Sequence, residues 1–279
     1  MQGGFKLEME DVLKYRIAQI EGLFLLLDHG NTKGLSHWAD ELERRQIPAV
    51  ITVEEHMVES NGSVIRNLSN RGFEIGGGFE QPFWEELYEY QYEKISSISD
   101  KIQSCTDKPM RILGSKYFAY NETTLQVADK IGIECVLARG TAGPEAIIYK
   151  PREYQAKIVS VSNVPSKGMG TGSLCDESLF SRGEAPDDFR DILFSLTVNK
   201  IVLVAQTHLS GVKLNWWNVY QDFLNKNVVA WKPWEEFVTN AIELPNEQIP
   251  INREVKYVTP KPKIPLEQEM EYPFKKGVE

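Results

Sequence analysis

The chain reads as an α/β protein built on one parallel sheet, an incomplete or distorted (β/α) barrel, and three observations predict it. Short apolar runs of strand length alternate with amphipathic segments through about seven βα units between Leu23 and Ile242. The runs Leu23 to Leu27 and Ile201 to Ala205 are apolar throughout rather than alternating, which suits strands buried on both faces. Each then breaks into polar and ionisable residues, Asp28-His29-Gly30-Asn31 and Gln206-Thr207-His208. Those breaks fall at strand carboxyl ends, where parallel α/β sheets bind ligands.

After the first strand, Leu35, Trp38, Ala39 and Leu42 recur at helical spacing, and Ile47 to Val53 is a β-branched second strand. Val64, Ile65 and Leu68 mark a short helix over 63–70 that stops at Arg71-Gly72 before a brief strand, Phe73 to Ile75. A long helix is predicted over 83–104 from Trp84, Leu87, Tyr88, Ile95, Ile98 and Ile102. Met110 to Leu113 is a fourth strand. Asn121 caps a helix carrying Leu125, Val127, Ala128 and Ile131, and Glu134 to Leu137 is a fifth strand. Between 139 and 184 the pattern loosens, with strands expected near 146–149 and 158–162 and a Gly- and Ser-rich loop over 166–173. Helices over 187–196, 216–225 and 233–242, and strands over 201–205 and 228–230, complete the alternation. Residues 1–243 are thus expected to form the barrel domain. Residues 244–279 hold six prolines and little periodicity, an extended arm that wraps the domain or reaches a partner, and through which an oligomer could form.

The net charge of −9 and the lack of a basic stripe argue against nucleic acid as the main partner. Cys105, Cys135 and Cys175 are odd in number and widely spaced, giving neither a disulfide framework nor a zinc-ribbon pattern. A reducing compartment follows, and with Glu8, Glu10 and Asp11 in a segment lacking a signal-length apolar stretch, and no run of membrane-spanning length, a cytoplasmic location is expected. His37 and His56 fall on expected helical or loop surface and read as structural. Trp217 and Trp234, at helix starts, read as anchors that wrap the barrel. Asp28 and Asn31 read either as site residues or as caps of the following helix.

The order of these motifs resembles the polysaccharide deacetylases of carbohydrate esterase family 4. Ile47 to Val53 is similar to that family's second strand, Gly72-Phe73-Glu74-Ile75-Gly76 to its Gly-His-Glu-Ile-Gly segment, and Tyr117 to Leu125 to the segment opening the helix after its fourth strand. The resemblance spans roughly 22–242 and implies a distorted (β/α)7 barrel that removes acetyl groups from N-acetylated sugars. Leu26-Leu27-Asp28-His29-Gly30 takes the place of the family's Thr-Phe-Asp-Asp-Gly, so Asp28 inherits the catalytic base and His29 replaces the metal-binding Asp. A divalent metal such as zinc is implied, yet Gly78 and Pro82 stand where the family has its two metal-binding histidines. Glu80 and Gln81 between them, and Glu74 upstream, offer oxygen donors, Glu80 being the metal candidate beside His29. The family's arginine that orients the base falls at Gly114, leaving Arg111 or Lys116 as stand-ins. Val204 to His208 is similar to the family's Leu-x-His segment, making His208 the general acid. Tyr117 and Tyr120, following a strand end, and Asn31 are the substrate-binding candidates.

Two functions follow as expectations. One is a deacetylase-type hydrolase acting on the N-acyl group, a non-peptide C–N bond, or on the ester of a carbohydrate or sugar derivative, with an atypical site. The other is an inactive deacetylase-like protein that binds carbohydrate or a partner in polysaccharide biosynthesis.

Overall fold

The structure is a computed structural model that describes residues 19–251 except 85, 141, 142 and 169. Its sheet runs in the order β10 (Lys200–Gln206), β1 (Ile20–Asp28), β2 (Ala49–Val53), β3 (Glu74–Phe79), β4 (Ile112–Ser115), β5 (Cys135–Arg139), β7 (Lys157–Val161), β6 (Ile147–Pro151) and β12 (Ile242–Leu244). The first five strands, β1 to β5, are joined by α1 (Thr32–Arg44), α2 (Glu55–Asn70), α3 (Tyr88–Thr106) and α4 (Glu122–Ile131). All neighbours from β10 through β1 to β5 and β7 pair in parallel, while β6 runs antiparallel to β7. Short strands β8 (Asn163–Pro165) and β9 (Thr171–Ser173) form a separate hairpin.

The register explains why the strand runs are apolar throughout. Leu23 and Leu25 of β1 point inward to a cluster with Val50, Ile112, Leu137, Val159, Val202 and Val204, while Phe24 and Leu26 face the helices. In that outer layer Phe24 packs on Trp38 of α1 at 5.2 Å between ring centroids. Trp38 in turn meets Tyr220 of α7 (Leu214–Asn225) at 5.0 Å.

Among the described residues no continuous ladder joins β7 to β10, so the sheet is a curled, incomplete barrel. The segment after β9 fills that gap. The Leu174 N–H donates to Ser162 O and the Val204 N–H to Leu174 O, at 2.9 and 3.0 Å. The Ser162 hydroxyl accepts from the Val202 N–H at 3.0 Å. The loosely patterned stretch is therefore a structural stave, and it brings α5 (Asp176–Phe180) to the carboxyl ends of the strands.

Several boundaries differ from expectation. α2 is kinked at Asn61: its second part is the helix expected over 63–70, and a further helical stretch precedes it from Glu55, so the polar Glu54-Glu55-His56 segment opens a helix directly from β2. β3 continues through the three glycines to Phe79, because parallel pairing with β2 and β4 supplies the backbone hydrogen bonds that side chains do not encourage. α6 (Pro186–Phe194) falls near its expected place, and β11 (Val229–Trp231) pairs with β1. The expected last helix stops early as α8 (Trp234–Phe237), and β12 (Ile242–Leu244) adds to the sheet beside β6. Ile249 is buried and Ile251 packs on the core, so the described start of the arm lies on the barrel. The rest of the arm, 252–279, and the residues before 19 lie outside the described residues. No described helix is long and apolar enough to cross a membrane.

Candidate functional site

The carboxyl ends of β1 to β5 and β10 surround a cavity of about 560 Å³, lined by Asp28, His29, Glu54, Glu80, Tyr117 and His208 among others. Asp28 ends β1 and is 1% exposed. Its Oδ1 accepts from the Thr207 hydroxyl at 2.5 Å and from the Asn31 N–H at 3.2 Å, and its Oδ2 has no partner among the described residues. Two glycines make this corner possible. Gly30 turns the chain at φ +101°, and at Gly34 a side chain would collide with the Thr207 carbonyl, 1.9 Å from the Cβ position. Burial pushes the Asp28 carboxyl up from its ordinary range, against the hydrogen bonds from Thr207, Asn31 and Gly30 and the nearby His29, which favour the charged form.

His208 lies on the turn after β10, its ring 5.7 Å from that of His29. Its Nε2 is 3.2 Å from Glu177 Oε2. Partial burial works against the imidazolium, but the Glu177 carboxylate, with Asp176 and Asp28 behind it, holds the His208 pKa above the usual value. That turn is fastened by Asp176, fully buried at the start of α5, which accepts the backbone N–H groups of Gln206, Ser210 and Glu177 at 3.1, 3.1 and 2.9 Å. Cys175 also lines the cavity, but burial raises its thiol well above the ordinary value, so it is no thiolate nucleophile near neutral pH.

On the opposite side of His29 stands a group the sequence did not assemble. His29 Nδ1 lies 2.5 Å from Glu54 Oε1, His56 Nδ1 lies 3.4 Å from Glu54 Oε2, and Glu80 Oε1 lies 3.6 Å from His56 Nδ1. Glu54 sits between the end of β2 and α2, and Glu80 follows β3. The parallel β2 and β3 pairing carries these two chain ends side by side. Burial works to raise the Glu54 pKa, but the hydrogen bond and charge of His29, with Glu80 and His56, bring it below the usual value.

The expected residues divide accordingly. Asp28, His29, Glu80, His208 and Tyr117 all reach the cavity. Asn31 does not line it: its side chain accepts the Gly34 N–H at 2.9 Å and caps α1. Tyr120 is 1% exposed and packs in the outer core, so it offers no surface to a substrate. Glu74 and Arg111 pair with each other at 2.6 Å, and Arg111 also with Glu235 at 2.9 Å. Both lie at the amino ends of β3 and β4, so Glu74 is no ligand and Arg111 cannot orient Asp28. Lys116 does line the cavity, as does Arg139 at the end of β5, which sequence reasoning passed over. Tyr117 stands at φ +61° and stacks on Trp84 at 6.0 Å with 19° between ring planes. A non-glycine residue held in that conformation beside a cavity is a mark of functional sites. His37 is structural as expected, stacked on Trp217 at 3.8 Å.

The family's three-ligand metal set does not fit here. Gly78 lines the cavity without a donor, Pro82 has none, and the His29 nitrogen that faces a partner faces Glu54. The described donors that do converge are those of Glu54, His56 and Glu80, all within 4.8 Å of one another.

Comparison with known proteins bears on the fold. The polysaccharide deacetylase family model matches residues 19–136, from just before β1 into β5. No curated protein matches the sequence. Among solved structures, a polysaccharide deacetylase candidate from Mycobacterium smegmatis superposes with a TM-score of 0.62 at 10% identity, covering 80% of this chain and 91% of that one. A family 4 carbohydrate esterase from Streptomyces lividans, in complex with acetate, gives 0.52 at 12% identity over 82% and 98%. A CE4 family pseudoenzyme from Bacillus anthracis gives 0.52 at 9% identity over 79% and 66%. The resemblance read in the sequence holds: residues 19–136 match the polysaccharide deacetylase model, and the chain has the curled (β/α) barrel fold of the carbohydrate esterase family 4 deacetylases.

Proposed function

We propose that the chain is a deacetylase-like hydrolase that cleaves the N-acyl (amide) or ester group of a carbohydrate or sugar derivative at an atypical site. The observation that carries this reading is the pairing of Asp28 and His208 on one cavity with complementary protonation. A carboxyl raised by burial is a stronger base once ionised, and an imidazole whose pKa Glu177 raises holds its proton more readily than a free one. Asp28 takes a proton from the attacking water, and His208 returns one to the leaving nitrogen or oxygen. Lys116 and Arg139, lining the same cavity, supply positive charge toward the carbonyl oxygen as it becomes an oxyanion. Tyr117, 41% exposed and backed by Trp84, offers an aromatic face for a sugar ring.

The test is acetate release from a panel of N- and O-acetylated mono- and oligosaccharides. Activity is expected in the wild type and is expected to fall by about 10² to 10⁴ in Asp28→Asn and in His208→Ala. Release that survives both substitutions refutes the assignment.

Gly78 and Pro82, in place of two histidines, favour a second reading: a catalytically silent barrel that binds carbohydrate or a partner in polysaccharide biosynthesis. Saturable binding of an acetylated oligosaccharide with no turnover anywhere in the panel selects it. On either reading we place the protein in the cytoplasm, with its three free cysteines, and assign any self-association to the C-terminal extension, 244–279. Fractionation of the source cells, and light scattering on a chain ending at 251, test those two points.

A further inference from the structure

We propose that Glu54, His56 and Glu80 form a divalent-cation site at the edge of the cavity, displaced from the position where the family resemblance places a metal. Three ligands about 2.1 Å from a tetrahedral ion lie about 3.4 Å from one another. The Glu54 to His56 and His56 to Glu80 distances are 3.4 and 3.6 Å, and all three donors lie within 4.8 Å.

The surroundings are those of a supported ligand set. Glu54 is 5% exposed, and its other oxygen is held by His29 Nδ1 at 2.5 Å, the kind of hydrogen bond that orients a ligating carboxylate. His29 is on this reading a positioning residue for Glu54. The His56 ring fits beneath the turn at Gly30, where a Cβ would stand 3.4 Å from its Nε2. Three protein donors leave a coordination position open toward solvent and the cavity, as catalytic rather than closed structural sites do. One imidazole and two carboxylates suit Zn²⁺ or Mn²⁺, and contain no thiolate to select copper(I). The vacated set and the assembled set lie on the same strand ends. Gly78 within β3 and Pro82 after it offer no donors, and Glu80 from the loop after β3 joins two donors that follow β2.

The experiment is calorimetric titration of the metal-stripped, tag-free full chain with Zn²⁺ and with Mn²⁺, and it needs no turnover. The wild type is expected to bind one equivalent of at least one ion, with affinity weakened at least about tenfold in Glu54→Gln, His56→Ala and Glu80→Gln, and unchanged in His208→Ala. His56 and Glu80 are 49% and 65% exposed, so their variants carry the test if Glu54→Gln does not fold. No saturable binding of either ion overturns the proposal. So does binding that is lost in Asp28→Asn while surviving Glu54→Gln and His56→Ala. Inactivity on acetylated sugars with this binding intact removes the hydrolase reading alone.

Discussion

Thr207→Val tests the buried corner on which the chemistry of Asp28 rests. The substitution keeps shape and removes one hydroxyl, which donates to Asp28 Oδ1 at 2.5 Å where Thr207 is 0% and Asp28 1% exposed. A hydrogen bond to a charged group contributes about 1.5 to 3 kcal/mol, and a neutral one about 1 kcal/mol. The sign with pH follows from Asp28, whose pKa is raised above the unfolded value near 4 by burial. The folded chain keeps that proton longer than the unfolded chain, so the Asp28 contribution to stability is fully present below pH ~4 and declines as pH rises through the raised folded pKa. The Thr207 hydroxyl limits this decline because it favours the carboxylate. Thr207→Val is therefore expected to cost about 1 kcal/mol below pH ~4 and about 1.5 to 3 kcal/mol near pH 7. In a chain of this size the neutral-pH cost is a fall of about 3 to 6 °C in Tm. Urea unfolding at a series of pH values measures it, with Thr207→Ser, which keeps the donor, as the control. Equal costs at pH 4 and 7, or a neutral-pH cost below about 0.5 kcal/mol, would refute an ionised Asp28 held by this hydroxyl.

The acid side of the cavity can be tested in the same way. Glu177→Gln is expected to lower the His208 pKa, read from ring resonances that are tractable because the chain holds only four histidines; an unmoved titration removes Glu177 as its partner. Because the His208 pKa is raised in the folded state, its stabilisation is present below pH ~6.5 and lost as pH rises through the folded value, and the variant flattens that dependence. Both side chains are about 40% exposed, so the stability change itself is on the order of 0.5 kcal/mol. Asp176→Asn leaves a buried N–H of the 206–210 turn without its acceptor and is expected to cost about 1 to 3 kcal/mol in urea unfolding, with broadening of the His208 ring signals. Unchanged stability would mean that Asp176 does not fasten that turn.

The barrel was legible in the chain because its cause is local. A strand buried on both faces must be apolar at every position, and β1 and β10 declare themselves in Leu23 to Leu27 and Ile201 to Ala205. The break after each run marks a strand end, which is why Asp28, His29 and His208 could be named from sequence. β12 was missed for the opposite reason: Ile242-Glu243-Leu244 is too short and too polar to signal a strand, and pairing with β6 creates it. Asn31 and Tyr120 show the limit of placing residues by strand ends alone. Either could face a ligand from its position, but Asn31 spends its oxygen on the Gly34 N–H, and Tyr120 turns into the helix layer.

What the sequence determined by itself was the alternation, the apolar staves and the ionisable residues at their ends, because periodicity and burial are written into neighbouring residues. What only the tertiary structure decided was which of those ends meet. Glu54, His56 and Glu80 lie on two segments joined by a whole helix and strand, and His208 and Glu177 are 31 residues apart. Parallel pairing of β2 with β3 brings the first group together, and the stave that closes the gap beside β10 brings the second. Such distances depend on register and closure of the whole sheet, and no local pattern encodes them.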